Sequence, residues 1–211
     1  VDAKISIAES GTNEVDDPHT FTVTLQKNPG SGFIAAAGEH VSFSLNEAFG
    51  ADCVVDAATS TCDNAGPNTD ASGQCTIVFS SNTPGQCVGS ASAALSVGGV
   101  SLLRSTDGSH DNSGEATKTY VDASIEIAED GVNVVGDPHT FTITVKVDSG
   151  DGNGLQPFAG AEPTVVVDPT GASVNARRAT PSQRRSISPR PTGFATRRNC
   201  APIRKGGIRA T

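Results

Sequence analysis

The chain contains no methionine, no tryptophan and a single tyrosine among its 211 residues. No apolar run approaches the ~18 residues that a membrane-spanning helix needs, which excludes insertion of this segment into a bilayer as a helix. No basic stretch leads into an apolar one, so no signal peptide is visible. Long runs of Leu, Glu, Lys and Arg are also missing, which argues against helical layers. Catalytic signatures are absent too: there is no Gly-x-Ser-x-Gly elbow, no His-Glu-x-x-His and no Gly-rich phosphate loop, so an enzyme is not expected. With one tyrosine and eight phenylalanines, several of them at strand positions that read as core, the chain is short of aromatic platforms for stacking sugars.

Charge of one sign is missing from each end. All 23 acidic residues lie at or before Asp168, where Lys4, Lys27, Arg104, Lys118 and Lys146 are the only bases, a net of −18. From Asn175 onward nine Arg and one Lys stand without an acid, a net of +10. Such an abrupt switch marks a boundary.

What is present is Gly, Pro, Ser, Thr, Val and Ile, in short alternating runs divided by turn clusters. Ala3, Ile5 and Ile7 alternate with polar neighbours, as do Phe21, Val23 and Leu25. Further runs are Val41 to Leu45, Cys75 to Phe79, Ser90 to Val97 and Val100 to Leu103. Between them lie Asn28-Pro29-Gly30-Ser31-Gly32, Asn82-Thr83-Pro84-Gly85 and Gly98-Gly99. Period 2 apolarity buries one face of each strand, so each sheet needs a second to cover it. About seven short strands in such a stretch predict an all-β, Ig-like Greek-key sandwich. Its expected core is Ile5, Ile7, Phe21, Val23, Phe43, Leu45, Ile77, Phe79 and Leu95.

The strongest signal is internal. Val1–Thr24 and Val121–Thr144 share 17 of 24 residues without a gap, at an offset of 120. Two copies of one unit are therefore expected. A two-residue insertion then aligns Ala37-Gly38 with Ala159-Gly160, and beyond Val167 the match is lost. The expected organisation is an Ig-like repeat at 1–119, the N-terminal part of a second repeat at 120–174, and a basic irregular tail at 175–211. Lys118-Thr119-Tyr120 runs into Val121 with no flexible linker, which predicts a stiff rod of domains. Because Val1-Asp2-Ala3 already lies inside a repeat, an upstream segment carrying any export signal is expected. The tail reads as an out-of-frame translation: a complete second copy would need about 30 further residues, and Arg-, Pro- and Ala-rich text is what a GC-rich gene yields in a wrong frame. The competing reading is a genuine basic tail that binds nucleic acid or another anionic polymer.

Val1-Asp2-Ala3-Lys4-Ile5, Asp17-Pro18-His19-Thr20-Phe21, Ser72-Gly73-Gln74-Cys75-Thr76, Ser81-Asn82-Thr83-Pro84-Gly85, Val97-Gly98-Gly99-Val100 and Thr106-Asp107-Gly108 follow one another in an order and spacing that resemble the bacterial Ig-like (Big, invasin-style) repeats of large surface and secreted proteins. The resemblance covers residues 1 to about 170. It implies an extracellular or cell-surface location and a structural spacer or stalk role in an adhesin-like protein, with neighbouring repeats of the same chain as partners. It implies no catalytic residue. The alternative function is a module whose sandwich loops bind a host or cell-surface glycan or a receptor. No nucleic acid is expected as a partner unless the basic tail is genuine.

Of the five cysteines, Cys53, Cys62, Cys75 and Cys87 fall inside the first copy, and no Cys-x-x-Cys occurs. In an exported domain they read as two disulfides. The favoured pairing is Cys62–Cys75 with Cys53–Cys87. Cys62 and Cys75 flank a polar, turn-rich stretch that can fold back, and the resembling repeats often carry such a pair. Cys53–Cys62 with Cys75–Cys87 is the alternative. No cofactor is expected. Calcium is the one metal to consider, with Asp148 and Asp151 in one Gly-rich loop and Asp107 and Asp111 in another as candidates. Neither loop has EF-hand spacing, and the ordinary reading of both is a turn. His19 and His139 recur in Asp-Pro-His-Thr-Phe. Each has a metal or base reading beside Asp17 or Asp137, against a local structural one in which the proline sets a turn and the imidazole bonds nearby.

Overall fold

A computed structural model describes residues 1–166 and the strands at 172–175 and 185–189. By its contacts the chain divides into two units. Unit 1 is Val1–Asp122 with Asp148–Gly154; unit 2 is Ala123–Val147 with the residues from Leu155 on.

Unit 1 is built from strands whose alternation is that of the sequence. The strands are β1 (Asp2–Ala8), β2 (Gly11–Glu14), β3 (His19–Asn28), β4 (Ile34–Ala35), β5 (Val41–Ala48), β6 (Cys53–Val55), β7 (Gln74–Ser81), β8 (Gly85–Val97), β9 (Val100–Ser105) and the first part of β10 (Ala116–Ala128). One sheet runs β1-β3-β7-β6, all antiparallel, with β4 on β3. In the other, β5 pairs one edge of β8, while β9 and β10 follow one another along the opposite edge. Short β2 joins β10 in parallel, Gly11 opposite Lys118. The chain thus starts in one sheet and crosses to the other at Glu9, whose φ is 83°. Two sheets packed face to face, antiparallel apart from the parallel β2–β10 pairing, make an immunoglobulin-type sandwich.

The inner faces meet in a single core. Ala3, Ile5 and Ile7 on β1, Phe21, Val23 and Leu25 on β3, and Cys75, Ile77 and Phe79 on β7 are buried. They face Val41 on β5 and Cys87, Ala91, Ala93, Leu95 and Val97 on β8. Burying each large side chain contributes about 1.5–3 kcal/mol. The midpoint of β8 is glycine for reasons of space: a β-carbon on Gly89 would stand 2.7 Å from the Phe21 ring and 3.1 Å from Ile7 Cδ1. The Phe21 ring therefore packs directly on β8 backbone. Phe43 and Leu45, expected in the core, are only half-buried against it, because β5 is the edge strand of its sheet. Tyr120, not expected there, is the largest fully buried side chain, and its hydroxyl donates to the Phe79 carbonyl at 3.3 Å.

An open β1 edge would invite pairing with another chain. Here it is occupied from within. Asn112 Oδ1 accepts from Ile5 N at 3.0 Å, Ser113 N donates to Ile5 O at 3.1 Å, and Ser113 Oγ accepts from Ile7 N at 2.9 Å. Arg104 Nε donates to Ala3 O at 2.6 Å, and its Nη2 pairs with Asp2 at 2.7 Å.

Strand β10 is continuous to Ala128, through the division between Asp122 and Ala123. Unit 2 holds the rest of β10 and β11 (His139–Asp148, whose last residue belongs to unit 1), β12 (Gln156–Pro157), β13 (Ala172–Asn175) and β14 (Arg185–Pro189). Strand β14 pairs antiparallel with β11, Ile187 opposite His139, and with β13. Within the tail at 175–211, read from sequence as irregular, Arg185–Pro189 therefore forms a strand. Apart from Asn175 in β13, the rest of that tail, Cys200 included, lies outside the described residues.

Candidate functional site

Between the end of β9 and the start of β10, the edge of β8 is bridged by a side chain. Thr106 N donates to Ala91 O and Thr106 Oγ1 accepts from Ala91 N, both at 3.0 Å. This gap deepens the outer face of the sheet into a groove of about 640 Å³. The register stacks serines along it: Ser42 lies opposite Ser92, which lies opposite Ser105, and Ser44 lies opposite Ser90 with 2.8 Å between hydroxyl oxygens. Asp107, Gly114 and Glu115 close one end. Within it Ser105 Oγ donates to the Asp107 carboxylate at 3.0 Å. The chemistry it offers is hydrogen bonding.

Three of the four candidate calcium ligands, Asp107, Asp148 and Asp151, accept hydrogen bonds within their own loops. The Asp107 carboxylate accepts from Ser109 N at 2.9 Å, Ser109 Oγ at 2.8 Å and Ser105 Oγ at 3.0 Å, and these donors hold it well below the usual carboxylate range. It thereby shapes the loop that delivers Asn112 and Ser113 to β1. Asp111 sits in the same loop with φ 62°, beside His110 at 53°. Asp148 accepts from Gly150 N and Asp151 from Asn153 N, each at 3.0 Å within its own turn. Among the described residues no three His, Cys, Asp or Glu side chains come together as a metal-ligand set.

His19 closes the crossover of the first copy. Its Nε2–H donates to Glu9 O at 2.6 Å, and the ring stands edge-on to Phe21 and Phe79. Burial lowers its pKa, as does the charge of Lys118 to a lesser degree, against the opposing bond to Glu9. His139 donates to Glu129 O at 2.5 Å in the same way, and Asn13 and Asn133 each donate to the carbonyl of the following proline, Pro18 and Pro138. Sequence reasoning missed Lys118, which is 3% exposed on the inner face of β10. Burial lowers its pKa, and the charge of Asp17 works the other way. Tyr120, one alternation further on, is pushed up to about 12, by burial first and Asp17 second.

Cys53 on β6 is joined to Cys87 on β8, linking the two sheets, and Cys62 is joined to Cys75 on β7, tying down the loop that follows β6. Asn68 anchors that loop further: its side chain both accepts from Val41 N at 2.9 Å and donates to Val41 O at 2.8 Å.

No protein-family model and no curated protein matches the chain. Among solved structures, the D0-D1 domain of Intimin is similar at 26% identity, over 74% of this chain and 67% of that one, with a TM-score of 0.35. No helix among the described residues is long and apolar enough to cross a membrane.

Proposed function

We propose that the chain is a non-catalytic spacer segment of an exported, adhesin-like bacterial surface protein. The observation that carries this reading is β10, which serves as the last strand of one copy and the first strand of the next without an intervening residue. A run of that kind leaves no slack linker between the copies. Two disulfides in the first copy suit an oxidising, extracytoplasmic setting, and an acidic surface suits solubility there. The test is mechanical. Pulled between its ends, the full chain should release unit 1 in one cooperative step, with a shorter gain in length when oxidised than when reduced. A gradual extension at low force contradicts the spacer reading.

The serine-lined groove favours a second reading, binding of a glycan through hydroxyls. A glycan array probed with the full chain decides between them. Selective binding that is lost on Ser92→Tyr, which fills the groove, would promote it.

A further inference from the structure

The turn that follows β3 recurs after β11, and its two versions have opposite surroundings. In the first, Asn28 Oδ1 accepts from Gly30 N at 2.8 Å and Gly32 N at 3.0 Å, and Ile34 then pairs with Lys27. In the second, Asp148 Oδ1 accepts from Gly150 N at 3.0 Å, and Gln156 pairs with Val147. The local design is the same. Yet residues 148–154, which belong to the second copy by sequence, are part of unit 1. Gly150 is buried: a β-carbon there would stand 2.5 Å from Tyr120 O, 2.8 Å from Thr119 Cγ2 and 3.1 Å from Gly85 O. At Gly152 a β-carbon would stand 3.2 Å from the Phe49 ring. Phe49, Gly85, Thr119 and Tyr120 therefore form a socket at the end of unit 1, and the 148–154 turn is the plug in it. The first-copy turn has no such seat. Gly30 and Gly32 are exposed, with nothing within 4 Å of the same position.

We propose that the turn Asn28–Phe33 is the plug for a preceding copy of this same unit, which would present its own counterparts of Phe49, Gly85, Thr119 and Tyr120. Plug and socket lie on different parts of one unit, so the contact is head-to-tail and can be repeated along a chain. Both turns put a glycine with positive φ two residues after the capping side chain, Gly30 at 127° and Gly150 at 71°, so seating Asn28–Phe33 in a socket would turn Gly30 toward the Gly150 conformation. The proposal rests on the repeat-spacer reading, and its test is separable from that reading because it measures seating rather than mechanics or ligand binding.

The experiment joins one added copy, residues 1–120, directly ahead of the full chain, so that its Tyr120 precedes Val1. Amide hydrogen exchange of residues 28–33 is compared with and without the added copy. Seating should slow it by about tenfold or more, toward the rate of 148–154 measured in the same sample. Phe49→Ala in the added copy should restore fast exchange at 28–33. In the full chain without any addition, Phe49→Ala should speed exchange at 148–154 alone. Phe49 is 56% exposed, so this substitution leaves the core intact. Unchanged exchange at 28–33 on adding the copy overturns the proposal. So does a full-chain Phe49→Ala variant that leaves 148–154 unaltered, since it would show that the socket holds nothing.

Discussion

The two copies share residues but not surroundings. Ile5 and Ile7 are 0% and 5% exposed, whereas their counterparts Ile125 and Ile127 are 52% and 48% exposed, and Val135 reaches 96%. Everything that depends on near neighbours recurs: the histidine bond to the crossover carbonyl, the asparagine bond to the proline carbonyl, and the turn with its short returning strand. What differs is the cover. In the first copy β5, β8 and β10 lie over the β1-β3 face; in unit 2, where β11 counterparts β3, the strand beside it is β14, in the place β7 takes in unit 1. The turn and histidine contacts therefore follow the local sequence, while burial differs between the copies.

The comparison is sharpened most by cutting the same side chain from each copy. Phe21→Ala should cost about 3–5 kcal/mol, because Phe21 fills space against Gly89 and Phe79. Phe141→Ala should cost a small fraction of that, since Phe141 is only partly buried. Chemical denaturation followed separately in each unit measures both, and equal costs would break the comparison.

Next in size is the loss of the cross-links, which the matched part of the second copy lacks. Cys53→Ser with Cys87→Ser opens a span of 34 residues and should destabilise unit 1 by about 4 kcal/mol in the chain-entropy model. Removing Cys62–Cys75, a span of 13, should cost about 3 kcal/mol. Exchange protection in unit 2 should not respond to either pair.

Tyr120→Phe should cost about 1 kcal/mol, because it leaves the ring packed and removes one buried hydrogen bond to Phe79 O. The smallest expected effect is with pH. The folded state holds His19 below its ordinary 6.5, so on acidification the unfolded chain takes up the proton first. Unit 1 should lose stability as pH falls below about 6.5 and stop losing it, from this group, once pH is below the folded value. In His19→Gln that part of the slope should vanish from a denaturation series between pH 7 and pH 5.

Much of this fold was legible in the alternation itself. Ile5, Ile7, Phe21, Val23, Ile77, Phe79 and Leu95 are buried as their period implies. Phe43 and Leu45 alternate just as well, but alternation does not say that β5 lies at a sheet edge. Tyr120 was hidden because its inner-face neighbour is Lys118, a charge that breaks the apolar pattern the eye follows. The groove was illegible for a different reason: Ser42, Ser92 and Ser105 meet only through strand register, which is a property of the sheet. The partners of Asp107 were illegible too, because acid, serine and asparagine in a turn suit a loop or a cation alike, and its bonds to Ser105 and Ser109 depend on the path of the loop.

Closure by the second sheet, rather than the shared sequence, makes the first copy a folded sandwich. Residue-resolved hydrogen exchange tests it on equivalent amides in one sample, Phe21, Val23 and Leu25 against Phe141, Ile143 and Val145. The β3 amides should exchange only through global unfolding of unit 1, and the β11 amides at least about a hundredfold faster, through local opening. Equal protection in the two strands would contradict the account.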